Sequence, residues 1–210
     1  MDRSQNSISV FDKHAKLYAD KFMNVDLYGE TLDAFCEAIK KDNPEILEVA
    51  CGPGNITKYL LNKRPDFKLL GTDLAPNMLE IAKSNNPTVE FQLMDARDIT
   101  KLEKKFDAIM CGFCFPYFTK EETLKFIADA SAILKTRGVF YISTMEDDYS
   151  KSGIRKSSQG DEIFMNFHQA DYLTDALLQN NFTVLKTERI ASVMTDNTKV
   201  IDLVLIAEKK

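Results

Sequence analysis

The sequence predicts an α/β protein: a Rossmann-like, doubly wound, mostly parallel sheet with helices on both faces, N-terminal lid helices and antiparallel strands at its end. Three observations carry this. From Ile46 onward, short apolar runs alternate with amphipathic stretches of helical period, the rhythm of parallel strands joined by right-handed crossovers. The first run, "EILEVA", breaks off into "CGPGN", a glycine-bearing turn from strand to helix. The last two runs, "FTVLKTERI" and "TKVIDLVLIAEK", flank the turn "TDNT" too closely for a crossover, so they pair antiparallel.

The elements follow in order. "SISVFDKHAKLYADKF" opens with Ser9 three residues before Asp12, resembling a capping box, and sets Phe11, Ala15, Tyr18 and Phe22 on one helical face. A second helix places Tyr28, Leu32, Phe35 and Ile39 on one side and stops at "KKDNP". "EILEVA" is then a strand and "NITKYLLNK" a helix; "FKLLGTD" is a strand and "PNMLEIAKS" a helix, with Pro76 in its first turn. "VEFQLMD" and "FDAIMCG" are strands, and "KEETLKFIADASAILK" is a helix closed by Arg137 and Gly138. "GVFYISTM" is the fifth strand. Beyond it "EDDYSKSGIRKSSQGDE" reads as a polar loop, "IFMNFH" as a short strand and "ADYLTDALLQNN" as a helix before the closing strands. One domain is expected, with N-terminal helices over 1–43, a ligand-binding core over 44–145 and a specificity segment with the closing hairpin over 146–210.

Composition narrows the class. At 210 residues, 44% hydrophobic and 28% charged, the chain reads as an ordinary globular domain. Its net charge of −5 has the wrong sign for wrapping a phosphate backbone. Lys151, Arg155 and Lys156 form the sole basic patch, read as a solvated loop. No signal-peptide-like stretch or membrane-length apolar run is found, so a cytoplasmic protein is expected. Cys36, Cys51, Cys111 and Cys114 suggest no disulfide framework, and "CGFC" lacks a second half-site for zinc, so buried thiols and no metal are expected.

Chemistry concentrates at the ends of the strands. In such sheets ligands sit outside the carboxyl ends, where a glycine turn lets backbone approach closely and a helix offers its first N–H groups. Those ends carry Glu48 to Gly54, Asp73, Asp95, and Cys111 with Gly112. Each has a plainer reading: the glycines as a tight turn, Asp73 as cap of the helix near Pro76, Asp95 as cap of the turn "DARD". Their joint occurrence at successive strand ends favours a ligand with hydroxyls and an amino group.

"LEVACGPGNIT", "LLGTDLAPNMLEIAK", "FQLMDARDI" and "FDAIMCGFCFPYF", in this order, resemble the motif set of class I S-adenosylmethionine-dependent methyltransferases of the small-molecule type. The resemblance implies a seven-stranded sheet, S-adenosyl-L-methionine as cofactor and a small-molecule methyl acceptor. It gives Glu48, Ala50, Gly52 and Gly54 to the methionine end of the cofactor, Asp73 to the ribose hydroxyls, Leu74 and Met78 to the adenine, and Asp95 with Ala96 to the adenine edge. The Cys111 backbone falls beside the methionine moiety, and "FDKHAKLYADKF" resembles a lid helix with Tyr18 close to the cofactor.

Acceptor-side candidates after the fourth and fifth strands are Tyr117, Glu146, Asp147, Tyr149 and His168; His168 and Tyr117 serve packing equally well. Phe113, Phe115 and Phe118 form either an acceptor wall or a support for the helix after them. "CFPY" superficially resembles the D/N-P-P-Y signature of enzymes that methylate nucleic-acid bases, but Cys114 and Phe115 replace its leading residues, so no nucleic-acid substrate is expected. Two other readings stay open. A nicotinamide-dependent oxidoreductase also has a glycine turn and an acid about 20 residues on, although Thr57 stands where its third glycine belongs. A non-catalytic S-adenosylmethionine-binding protein shares everything but the acceptor chemistry. The sequence leaves monomer or homodimer undecided.

Overall fold

Strand β1 (Glu45–Val49) and strand β4 (Phe106–Gly112) lie at the centre of the sheet because both faces of each are apolar and buried. In the computed structural model, which describes residues 3–156, 159–193 and 198–210, they are flanked by β2 (Lys68–Asp73), β3 (Glu90–Leu93), β5 (Leu134–Glu146), β8 (Phe182–Val193) and β9 (Lys199–Lys209). The order is β3-β2-β1-β4-β5-β9-β8. β9 runs antiparallel to both β5 and β8, so the final strand inserts between its predecessor and the parallel set. Exposure rises toward the edges, where β3 is largely exposed and β8 alternates. The "TDNT" turn, apart from Thr198, lies outside the described residues.

Helices cover both faces. α3 (Gly29–Ala38) and α4 (Asn55–Lys63) bury Leu32, Phe35 and Leu60 against Ile46, Ala108, Met110 and Tyr141. On the other face α6 (Lys120–Ile133) and α7 (Ala170–Gln179) bury Phe126, Ile127, Leu173 and Leu177 against Leu47, Ile109 and Phe140. Period-2 alternation in the strands sends successive side chains to these two cores. α6 starts with a reciprocal capping box, Thr119 accepting from the Glu122 N–H and Glu122 from the Thr119 N–H. α5 (Pro76–Asn85) packs beside α4 and carries the N-terminal helices.

The structure revises several expectations. The N-terminal helix begins well before Ser9, which sits mid-helix; α1 (Arg3–Lys13) and α2 (Ala15–Phe22) meet at a kink at His14, whose φ of −110° and ψ of 20° leave the helical region. The aromatic face survives the kink, with the Phe11 and Tyr18 rings edge to face at 5.8 Å. α6 ends at Ile133 rather than at Gly138. Residues 134–138 already form the entry to β5, with Arg137 left-handed at φ 62° and a register shift on β4 opposite. The stretch read as a polar loop contains β6 (Gly153–Lys156), which pairs antiparallel with β7 (Glu162–Met165) in a separate two-stranded sheet. Two of its basic residues are engaged: Lys151 pairs with Asp147, and the Arg155 guanidinium lies 5.7 Å from the Phe167 ring. No helix of the described residues is long and apolar enough to cross a membrane.

Candidate active site

A cleft of about 150 Å3 opens at the carboxyl ends of β1, β2 and β4, roofed by α1 and α2. Its floor is the β1–α4 turn, where Ala50, Gly52 and Gly54 are left-handed at φ 51°, 53° and 75°. For Ala50 this is strain, and strain of this kind concentrates at ligand sites. Asp73, at the end of β2, fixes the turn: its Oδ2 accepts the Gly52 N–H and its Oδ1 the Ala75 N–H, both at 2.8 Å. Burial raises its carboxyl, opposed by these N–H donors. Asp73 is therefore not the cap of α5. That service comes from the lid, where Asp12 Oδ1 accepts the Asn77 N–H at 2.8 Å.

Of the residues singled out from the sequence, Tyr18, Ala50, Gly52, Asp73, Leu74, Met78, Asp95, Ala96 and Tyr117 border the cleft. Asp95 does so while spending its carboxylate on the cap of the following turn, through the Arg97 N–H, and on the Arg97 guanidinium at 2.6 Å; Arg97 also reaches Glu122 at 3.0 Å. Tyr18 and Tyr117 present phenols with no hydrogen bond among the described residues. Burial pushes the Tyr18 hydroxyl up to about 12, with Asp73 adding to the shift, and raises that of Tyr117 further.

Glu48, Gly54, Cys111, Asp147 and His168 do not border it. Glu48 is 1% exposed beneath the turn and accepts the Thr57 hydroxyl at 2.5 Å, with the Thr57 N–H also directed at it. It thus anchors the first turn of α4, and burial pushes its carboxyl up to about 7. Gly54 faces α5: a Cβ there would strike Asn86 Nδ2 and lie 3.2 Å from Ala82 Cα. Cys111 is fully buried, its thiol against that of Cys114. Asp147 pairs with Lys151 at the surface, Glu146 with Arg189, and the Tyr149 hydroxyl accepts the Lys120 N–H. His168 is fully buried between the Phe115 carbonyl, 2.8 Å from Nε2, and the Tyr172 hydroxyl at Nδ1. Burial drives its pKa down to about 4, so it is a neutral strut.

Sequence reading missed Ser7, Ile8 and Phe11 of the lid, together with Met94, Arg97 and Cys114. It left the aromatic cluster undivided, whereas the structure splits it: Phe113 and Phe118 border the cleft and Phe115 packs on Phe126. Phe113 is left-handed at φ 53°, its N–H held by Ser143, and a bulky residue in that region is the one signal φ would have given. The roof is tied down by Lys13 and His14 on Asp161, at 3.0 and 2.7 Å, and by Asp12 on Asn77. Ligand pockets run to roughly 300–1,000 Å3, so the cleft under α1 and α2 is smaller than a pocket of that kind.

Comparison with known proteins agrees with this fold. Residues 46–138 match the family model described as "Methyltransferase domain". The chain is 33% identical over 111 residues to malonyl-[acyl-carrier protein] O-methyltransferase of Acetivibrio thermocellus, covering 51% of this chain and 38% of that protein. It is 27% identical over 137 residues to demethylmenaquinone methyltransferase of Thermotoga maritima, covering 64% and 59%. The chain thus spans roughly half the length of the curated relatives it matches. An S-adenosylmethionine-dependent methyltransferase structure from Clostridium acetobutylicum superposes with a TM-score of 0.72 at 16% identity, covering 95% of this chain and 99% of that one. The [4+2]-cyclase SpnF shares the fold at a TM-score of 0.65 and 14% identity, covering 86% and 81%. Residues 46–138 thus match the methyltransferase-domain model, and the chain shares its seven-stranded fold with solved S-adenosylmethionine-dependent methyltransferases.

Proposed function

We propose that the protein transfers the methyl group of S-adenosylmethionine to a small-molecule acceptor, with residues 44–145 as the cofactor-binding core, 1–43 as a lid and 146–210 as the acceptor-side segment. The observation that carries this is Asp73, which borders the cleft while both its oxygens are steadied by backbone N–H groups at 2.8 Å. A carboxylate so held keeps lone pairs free to accept from a ribose diol. Leu74 and Met78 supply apolar contacts for the adenine, and Ala96 its edge. The turn at Ala50 and Gly52 faces the methionine end, and Tyr18 covers it from the lid.

The cofactor supplies a methyl group activated by a sulfonium. The chain's share is orientation and exclusion of water. Holding an acceptor lone pair in line provides most of the acceleration through proximity, and aromatic walls tolerate the cation. Glu48 and Gly54 support this site from beneath: one anchors α4, the other lets α5 approach. Thr57, where a dinucleotide turn has its third glycine, spends its hydroxyl on Glu48, which weighs against the nicotinamide reading.

Calorimetric titration with S-adenosylhomocysteine, with NADH as comparison, tests the proposal. Micromolar binding of the former alone is expected, about −8 kcal/mol, and is lost in Asp73→Ala. Heat with NADH and none with S-adenosylhomocysteine refutes it. Release of S-adenosylhomocysteine across an acceptor panel then separates an enzyme from a binding protein.

A further inference from the structure

Other acids near the strand ends have close partners within the chain. Asp95 has Arg97, and Glu48 has Thr57. Asp202 of β9 differs. It is 1% exposed; its Oδ2 accepts the Tyr28 hydroxyl at 2.7 Å, and its Oδ1 has no hydrogen-bond partner among the described residues. The groups bearing on its charge are Tyr28 and Ser192, and neither is a cation.

Its location is on the acceptor side. Asp202 pairs across the ladder with Met145 at the carboxyl end of β5, and Met145 packs with Val10, Ile163 and Tyr117 under the lid. The Tyr28 ring lies 5.2 Å from that of Phe113, which borders the cleft. Asp73, proposed above for the cofactor, stands at the end of β2, two strands away from Phe113 at the end of β4. Because the Tyr28 hydroxyl gives its hydrogen to Asp202, its oxygen is left only to accept. α3 has a second polar tie to the sheet, the Thr31 hydroxyl meeting the Tyr141 hydroxyl at 3.0 Å. Burial raises the Asp202 carboxyl, opposed only by the neutral donors Ser192 and Tyr28, and a ligand's cation would favour its charged form.

We infer that Tyr28 and Asp202 form the polar end of an acceptor compartment reached past Phe113, and that they select a small acceptor carrying a protonated amine on an apolar or aromatic body. The inference rests on the methyltransferase reading for the existence of an acceptor. The amine is the anchor. Tyr28 touches it, Asp202 supplies charge through Tyr28, and the Phe113 and Tyr117 rings receive the body and tolerate a cation.

The test uses the full chain saturated with S-adenosylhomocysteine, titrated with three probes of one shape: tyramine, 4-ethylphenol and 4-hydroxyphenylacetate. Tyramine is expected to bind at least about tenfold tighter than 4-ethylphenol, an increment of about 1.4 kcal/mol, with 4-hydroxyphenylacetate weakest. Asp202→Asn abolishes the preference and Tyr28→Phe reduces it, while S-adenosylhomocysteine affinity stays unchanged in both. Tyr28→Phe keeps the ring against Phe113 and carries the test should Asp202→Asn fail to fold. Equal binding of the three probes, binding of none, or a tyramine preference that survives both substitutions overturns the inference. Loss of S-adenosylhomocysteine binding in the unsubstituted chain instead fails the methyltransferase reading, and this inference with it.

Discussion

Gly52 and Gly54 are two residues apart in one turn, yet the structure gives them different work, and Gly→Ala at each separates stability from binding. At Gly54 the left-handed φ of 75° costs a side chain about 1–2 kcal/mol. The new Cβ also drives into Asn86, whose Nδ2 donates to the Gly54 carbonyl at 3.0 Å and the Ala82 carbonyl at 3.3 Å. Weakening these adds about 1 kcal/mol. Gly54→Ala is therefore expected to lose about 2–3 kcal/mol in urea denaturation, or about 4–12 °C in Tm for a chain of this size. At Gly52 the φ of 53° carries a similar strain, but the Cβ meets only Tyr18, at 4.0 Å, inside the cleft. Gly52→Ala should lose about 1 kcal/mol of stability while weakening S-adenosylhomocysteine binding more than Gly54→Ala does. Equal destabilisation, or a stable Gly54→Ala that cannot bind, refutes this division.

Glu48 and His168 predict opposing pH dependences. Glu48 is shifted up from 4.5 to about 7, so the folded chain holds a proton the unfolded chain has released, and its contribution is lost as pH rises through 7. His168 is shifted down from 6.5 to about 4, so its contribution is present above 6.5 and lost as pH falls toward 4. Each is worth about 3 kcal/mol, so they nearly cancel between pH 4.5 and 6.5. Glu48→Gln unmasks a stability that rises with pH over that window; denaturation at four pH values shows it, and an unchanged profile contradicts it. At the cleft, Asp95→Ala should weaken S-adenosylhomocysteine binding less than Asp73→Ala, because Arg97 already occupies the Asp95 carboxylate. Calorimetry on the two variants ranks them, and the reverse order contradicts the assignment. Thr119→Ala removes the cap of α6 and should cost about 1 kcal/mol in urea denaturation, with no effect on ligand binding.

The strands and helices between Ile46 and Ile133 were legible because each is written locally, in period-2 or helical patterning bounded by glycine, proline or a capping box. The Asp73 position was legible for the same reason: it ends an apolar run. What escaped is long-range. Whether Gly54 faces a ligand or α5 depends on Ala82 and Asn86, and the fate of Glu48 depends on which face of β1 meets Thr57. β6 was hidden because Gly153–Lys156 carries a single apolar residue, Ile154, and is held by its partner rather than by its own propensity. The kink at His14 left no proline or glycine to mark it. Asp202 stands in the closing strand with no local signal, and only the fold brings Tyr28 to it from 174 residues away.

A crystal structure of the chain grown with S-adenosylhomocysteine decides whether the cleft is what its geometry implies. The ribose hydroxyls are expected within hydrogen-bonding distance of the Asp73 carboxylate, and the adenine against Leu74 and Met78. A ligand bound with its ribose away from Asp73, or no ligand in the cleft at saturating concentration, contradicts the account.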